Sequence, residues 1–130
     1  MGHGEVGIAV RRVGGELQVH VTGPNTRENT FGYWRAIVEA LDAQPARLLL
    51  LIDELEGPPL EACDWKALVA EFGPHLGGLR VAHVKPHGLD TVEHCMLSAI
   101  DSGLEAQVFA DVHAAGLWLR YGSQSTPPNR

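Results

Sequence analysis

RLLLLIDELEGPPLEACDW, residues 47–65, decides the fold. Leu48, Leu49, Leu50, Leu51 and Ile52 form an unbroken aliphatic run, whereas a strand with one wet face would alternate apolar with polar. Residues 48–52 therefore predict a central strand covered on both faces. Asp53, Glu54 and Glu56 follow, then Gly57 and the pair Pro58-Pro59. This predicts that the chain leaves the sheet after Ile52 in an acidic, solvent-facing bend and enters a helix whose first turn tolerates proline. Ligands of open α/β sheets gather at such strand ends.

Working back towards the N-terminus, Gln44-Pro45 ends a preceding helix. Phe31, Trp34, Ile37 or Val38, and Leu41 recur at helical spacing, and Asn25 three residues before Glu28 predicts the helix start. Gly32 lies inside this helix and costs roughly 1 kcal/mol relative to alanine, which packing must offset. Before it, residues 6–12 and 16–22 flank Gly14-Gly15, the signature of an antiparallel hairpin. In the second arm Leu17, Val19 and Val21 alternate with Gln18, His20 and Thr22, so His20 belongs to the polar face.

Towards the C-terminus, Trp65, Leu68, Val69, Phe72 and Leu76 mark a second amphipathic helix that Pro74 ends or kinks. Gly77-Gly78 turns the chain into a strand over residues 79–84, LRVAHV. Asp90 and Glu93 predict the start of a third helix with Val92, Met96 and Ile100 inward and Gly103 as its stop. Residues 104–109 read as a short strand, Asp111 as the cap of a closing helix, and Val112, Ala115, Trp118 and Leu119 as its buried side. The order ββαβαβαβα predicts an α/β fold: one mixed, mostly parallel sheet with helices packed on it. Residues 1–122 form the domain, and GSQSTPPNR lacks any apolar period, so residues 123–130 are expected to be a flexible tail.

The 130 residues make one domain, 45% apolar and 20% charged, with the composition of an ordinary globular protein. Ten basic residues against sixteen acidic, with no basic stripe, argue against nucleic acid as a partner. No apolar run approaches the ~18 residues of a membrane span, and the first ten residues lack a basic region followed by a long apolar one. A cytoplasmic location with Cys63 and Cys95 reduced is the expectation.

Several residues carry candidate chemistry. The bend at Asp53, Glu54, Glu56 and Gly57, with the helix turn around Cys63 and Trp65, combines carboxylates with free helix amides and is a candidate partner- or ligand-binding edge; its acids also simply suit a solvated helix start. His83 joins this candidate set through the neighbouring strand end, where Asp53, Glu54 and His83 would be the acid and base groups of any enzyme; its plainer reading is a core or strand-face histidine. His83, His87, His94 and Cys95 fit no metal-ligand spacing, so no metal or other cofactor is expected. Cys63 near a helix start faces Glu61 and Asp64, which oppose thiolate formation, and it reads as a small packed side chain. Ser98 and Ser102 lack a G-x-S-x-G setting, and the paired glycines lack a P-loop lysine or a spaced dinucleotide pattern.

LLLLIDELEG at the central strand end, LRVAHV at the later strand and VFADVHAAGLWLR near the C-terminus together resemble the STAS fold, the sulphate-transporter and anti-sigma-factor-antagonist domain, and more closely the SpoIIAA-like bacterial proteins. Phe109, Asp111, Ala115, Trp118 and Leu119 are similar to that family's closing strand and helix, and the likeness spans roughly residues 6–121. Phospho-regulated members place a serine or threonine where the central strand passes into the next helix, but residues 53–64 contain no hydroxyl side chain. The resemblance thus implies a non-enzymatic regulatory or protein-interaction module without the phosphorylatable serine. Its alternative is a binding protein for a small apolar or lipid-like ligand, held between the sheet and the helices bearing Trp34 and Trp65. An exposed sheet edge or helix face would also permit a homodimer.

Overall fold

The computed structural model of the chain describes residues 6–57, 60–86 and 105–121. The order of elements is β1 (Gly7–Val13), β2 (Glu16–Pro24), α1 (Arg27–Ala43), β3 (Leu48–Glu56), α2 (Ala62–Phe72), a 3-10 turn (Gly73–Leu76), β4 (Arg80–Val84), β5 (Glu105–Phe109) and α3 (Val112–Tyr121). All five strands form one mixed sheet in the order β1-β2-β3-β4-β5. The first pair is antiparallel and the remaining three pairs are parallel, so the fold is α/β. The expected helix after Asp90, with Cys95, His87 and His94, lies outside the described residues, as do Pro58-Pro59 and the C-terminal segment 123–130.

The alternation of side chains across the sheet builds two cores. Leu17, Val19 and Val21 of β2, Leu49, Leu51 and Leu55 of β3 and Val81 of β4 pack with Phe31, Trp34 and Ile37 of α1 and with Trp65, Leu68 and Phe72 of α2. On the opposite face Leu50, Ala82 and Val84 pack with Ala115, Trp118 and Leu119 of α3. The continuous aliphatic run of β3 is explained by this double cover, since alternate residues enter different cores. In α3 the expected inward Val112 is instead 41% exposed, because the helix begins there, before it settles onto the sheet.

Two boundaries differ from the sequence reading in a way that matters for function. Strand β3 continues to Glu56 because β2 runs beside it to Pro24 and supplies pairing for every residue of the extension. Asp53 is therefore a strand residue and is 2% exposed, not part of a wet bend; the chain turns only at Gly57. Helix α1 is capped by Thr26, whose Oγ1 accepts from the Asn29 amide at 3.1 Å, one residue later than expected. The Asn25 amide instead donates to the Glu56 carbonyl at 2.7 Å, tying the β2–α1 corner to the end of β3. Other expectations fit the coordinates closely: Gly14 turns the hairpin with φ 62°, and Pro74 sits in the 3-10 turn that ends α2.

Candidate functional site at the ends of β3 and β4

Because Asp53 has the parity of Leu49, Leu51 and Leu55, its carboxylate enters the core beneath α1 and α2. On β4 the same face carries Val81 and His83, and Lys85 continues it just past the strand. The strands thus deliver an acid, an imidazole and an amine to one buried point. His83 Nε2 lies 2.8 Å from Asp53 Oδ2, and Lys85 Nζ donates to Asp53 Oδ1 at 3.1 Å and to the Leu55 carbonyl at 2.7 Å. Tyr33, from α1, directs its hydroxyl to Asp53 Oδ2 at 3.4 Å, and the Leu55 amide donates to Oδ1 at 3.0 Å. An ionised carboxylate only accepts, so Nε2 of His83 carries the proton in this contact.

Charge inside a core is tolerated only when paired and hydrogen-bonded. Burial pushes the Asp53 carboxyl up, but the His83 hydrogen bond, the charges of His83 and Lys85 and the Leu55 amide outweigh it and hold the group down to about 2. Both oxygens of Asp53 are occupied. The group acts as a clasp joining β3, β4 and α1 at the end of the sheet where α/β proteins bind ligands.

The remaining expected site residues divide between two faces. Glu54 points away from Asp53, and its Oε1 lies 3.1 Å from His20 Nε2 on β2. Glu54 and Glu56 line a cleft of 460 Å³ with Thr22, Gly23 and Pro24. Gly57 turns the chain with φ 134°, and a Cβ there would meet Asn25 at 3.6 Å, so glycine suits this corner in both conformation and space. Cys63, expected from the sequence to be a small packed side chain, is instead an exposed free thiol whose Sγ lies 3.9 Å from Glu61 Oε1. Trp65, placed by the sequence on the same binding edge, is instead 2% exposed, because its helix turns that position onto the sheet. Arg27 Nε, 3.2 Å from Asp64 Oδ1, joins the first turns of α1 and α2 beside this corner.

The structure therefore brings Asp53 and His83 together, as expected of adjacent strand ends, but separates both from Glu54, Glu56 and Cys63. Sequence reasoning missed Lys85 and Tyr33. The parity of Val81, His83 and Lys85, set against that of Leu49, Leu51 and Asp53, held the signal for the lysine; Tyr33 required the rotation of α1 on the sheet. Among the described residues, no three His, Cys, Asp or Glu side chains are grouped to hold a metal ion, and no helix is long and apolar enough to cross a membrane. In comparisons with known proteins, no family model matches the chain and no curated protein matches it.

Proposed function

We infer that the chain is a SpoIIAA-like regulatory domain of the STAS type, acting in the cytoplasm by docking a protein partner and lacking the phosphorylatable serine. The observation that carries this reading is the saturation of Asp53. With His83, Lys85, Tyr33 and the Leu55 amide all directed at it, the strand-end carboxylate is committed to holding the fold. What this edge offers to another molecule is the cleft bearing Glu54 and Glu56 and, around the corner, the exposed start of α2 at Glu61 and Cys63. The fitting partner is a protein presenting a lysine- or arginine-bearing segment, since complementary charge guides and orients such contacts. An antiparallel hairpin leading into parallel strands with intervening helices is consistent with the family resemblance. Recovery of a partner from native lysate by the wild type, compared with Glu54→Gln/Glu56→Gln, tests this. Loss of the partner from the variant is expected, and equal recovery counts against the surface.

A second reading, a small ligand held between the sheet and the helices bearing Trp34 and Trp65, is favoured by a separate observation. The indole Nε1 atoms of Trp34 and Trp65 and the Thr30 hydroxyl are buried without a hydrogen-bond partner among the described residues. A buried donor left unpaired costs about 1–3 kcal/mol, so a ligand oxygen reaching these groups would gain from them. Native mass spectrometry of freshly purified protein discriminates the readings. A co-purifying small molecule whose release changes tryptophan fluorescence supports the second, and a bare mass with no thermal shift from fatty acids removes it.

A further inference from the structure

At the opposite end of the sheet from Asp53, where β3, β4 and β5 begin, a cleft of 540 Å³ is lined by Arg47, Arg80 and Arg120. Three of the ten basic residues of a chain with net charge −6 thus meet in one concavity, drawn from a loop, a strand and a helix end. We propose that this cleft binds a small organic phosphate, with the three arginines holding the phosphate group and the organic part lying against Pro45 and Leu48.

Charge count supports the class of ligand. Glu105 is in the lining and Glu16 lies 3.8 Å from Arg120, so the three guanidinium groups keep one positive charge in excess of these acids; once the exposed Glu105 side chain turns out to solvent, the excess facing a ligand is two, which matches a phosphomonoester dianion. Guanidinium groups bind oxyanions through paired donors and are the side chains best suited to phosphate. Arg80 is also prearranged. Arg80 Nη1 donates to the Leu119 carbonyl at 3.1 Å, which caps the negative pole of α3, and its guanidinium lies 5.5 Å from the Trp118 ring centre. Its ion pair with Glu105, at 3.0 Å, does not align as a hydrogen bond, and the Glu105 side chain is 53% exposed, so that carboxylate can swing away.

The other two arginines are less committed. Arg120 Nε lies 3.8 Å from Glu16 Oε1, a long contact, and Arg47 forms no ion pair among the described residues. Gly15 forms part of the rim without narrowing it; a Cβ built there meets nothing within 4 Å among the described residues. The volume falls in the range of small-molecule sites.

The test is titration of the full chain with phenyl phosphate, inorganic phosphate and benzoate, followed through the arginine Nε–H and the Gly15 and Gly78 amide NMR signals. Saturable binding is expected with phenyl phosphate tightest and benzoate weakest. Arg47→Gln and Arg120→Gln should each weaken phenyl phosphate by about tenfold, the loss expected for one charge-assisted contact. Gly15→Leu, at a position without positive φ, should obstruct the rim and weaken binding while the thermal midpoint stays near wild type. Arg35→Gln, on α1 beside Glu71, serves as the distant-charge control and should bind as wild type. Shifts that never saturate, or equal losses in Arg35→Gln and the cleft variants, would overturn the proposal by showing general charge attraction only.

Discussion

Asp53 and His83 face each other across β3 and β4 with 2.8 Å between Oδ2 and Nε2, and each side chain is 3% exposed. The contact has a consequence for acid stability. In the folded chain the Asp53 carboxyl is held at about 2, below its ordinary 3.8, so the unfolded chain takes up this proton first as pH falls. The contribution is fully present above the unfolded value and is lost as pH drops through the folded one, across the window from about 4 to 2. The shift corresponds to about 2 kcal/mol of stability. Carbon-13 NMR of the side-chain carboxyls should show Asp53 titrating near the bottom of that window, and a transition near 4 would contradict the clasp.

The paired lysine gives a mutational prediction. Lys85 Nζ has Asp53 and the Leu55 carbonyl as buried partners, so Asp53→Asn leaves an ammonium in the core with its counter-charge removed. Breaking a buried pair from one side costs about 3–5 kcal/mol, whereas removing both charges together costs far less. Asp53→Asn and Lys85→Met should each lower the urea midpoint strongly. The double variant should be more stable than the sum of the single losses predicts, with coupling of about 1–3 kcal/mol. Additive losses would mean that the two groups act independently.

How far such a site can be read in advance follows from these same residues. The period-2 pattern of β2 and the apolar run of β3 were legible because burial selects them locally, and the α/β order followed from the alternating periods. Asp53 was misplaced because an acid after five aliphatics resembles the end of a strand, while its true state depends on pairing with Val21 and on Lys85, 32 residues away. Trp65 illustrates the reverse case. Its helical stripe marked it as core, but its closeness in sequence to Cys63 drew it onto the binding edge. A sequence shows which positions share a face of one element; which faces meet depends on tertiary packing.

The start of α1 provides a test confined to one turn. Thr26 Oγ1 accepts from the Asn29 amide at 3.1 Å, satisfying one of the donors that a helix start leaves free. Thr26→Ala should cost about 1 kcal/mol, and Thr26→Asp should retain most of the stability because its carboxylate can accept the same bond and also suits the positive pole of the helix. Thermal unfolding of the two variants measures this. Equal destabilisation by alanine and aspartate would show that the contact contributes little.

Gly32 offers the opposite sign. It sits in the second turn of α1 with no positive φ, and a Cβ built there meets nothing within 4 Å among the described residues, so alanine displaces none of them. Glycine in a helix interior is less favourable than alanine by about 1 kcal/mol, mainly through the freedom it gives the unfolded chain. Gly32→Ala should therefore raise the thermal midpoint by about 3–5 °C for a domain of this size. The gain should be independent of pH between about 4 and 2, because residue 32 carries no charge and the Asp53 clasp is left intact. A lowered midpoint would show that the helix requires glycine at this position.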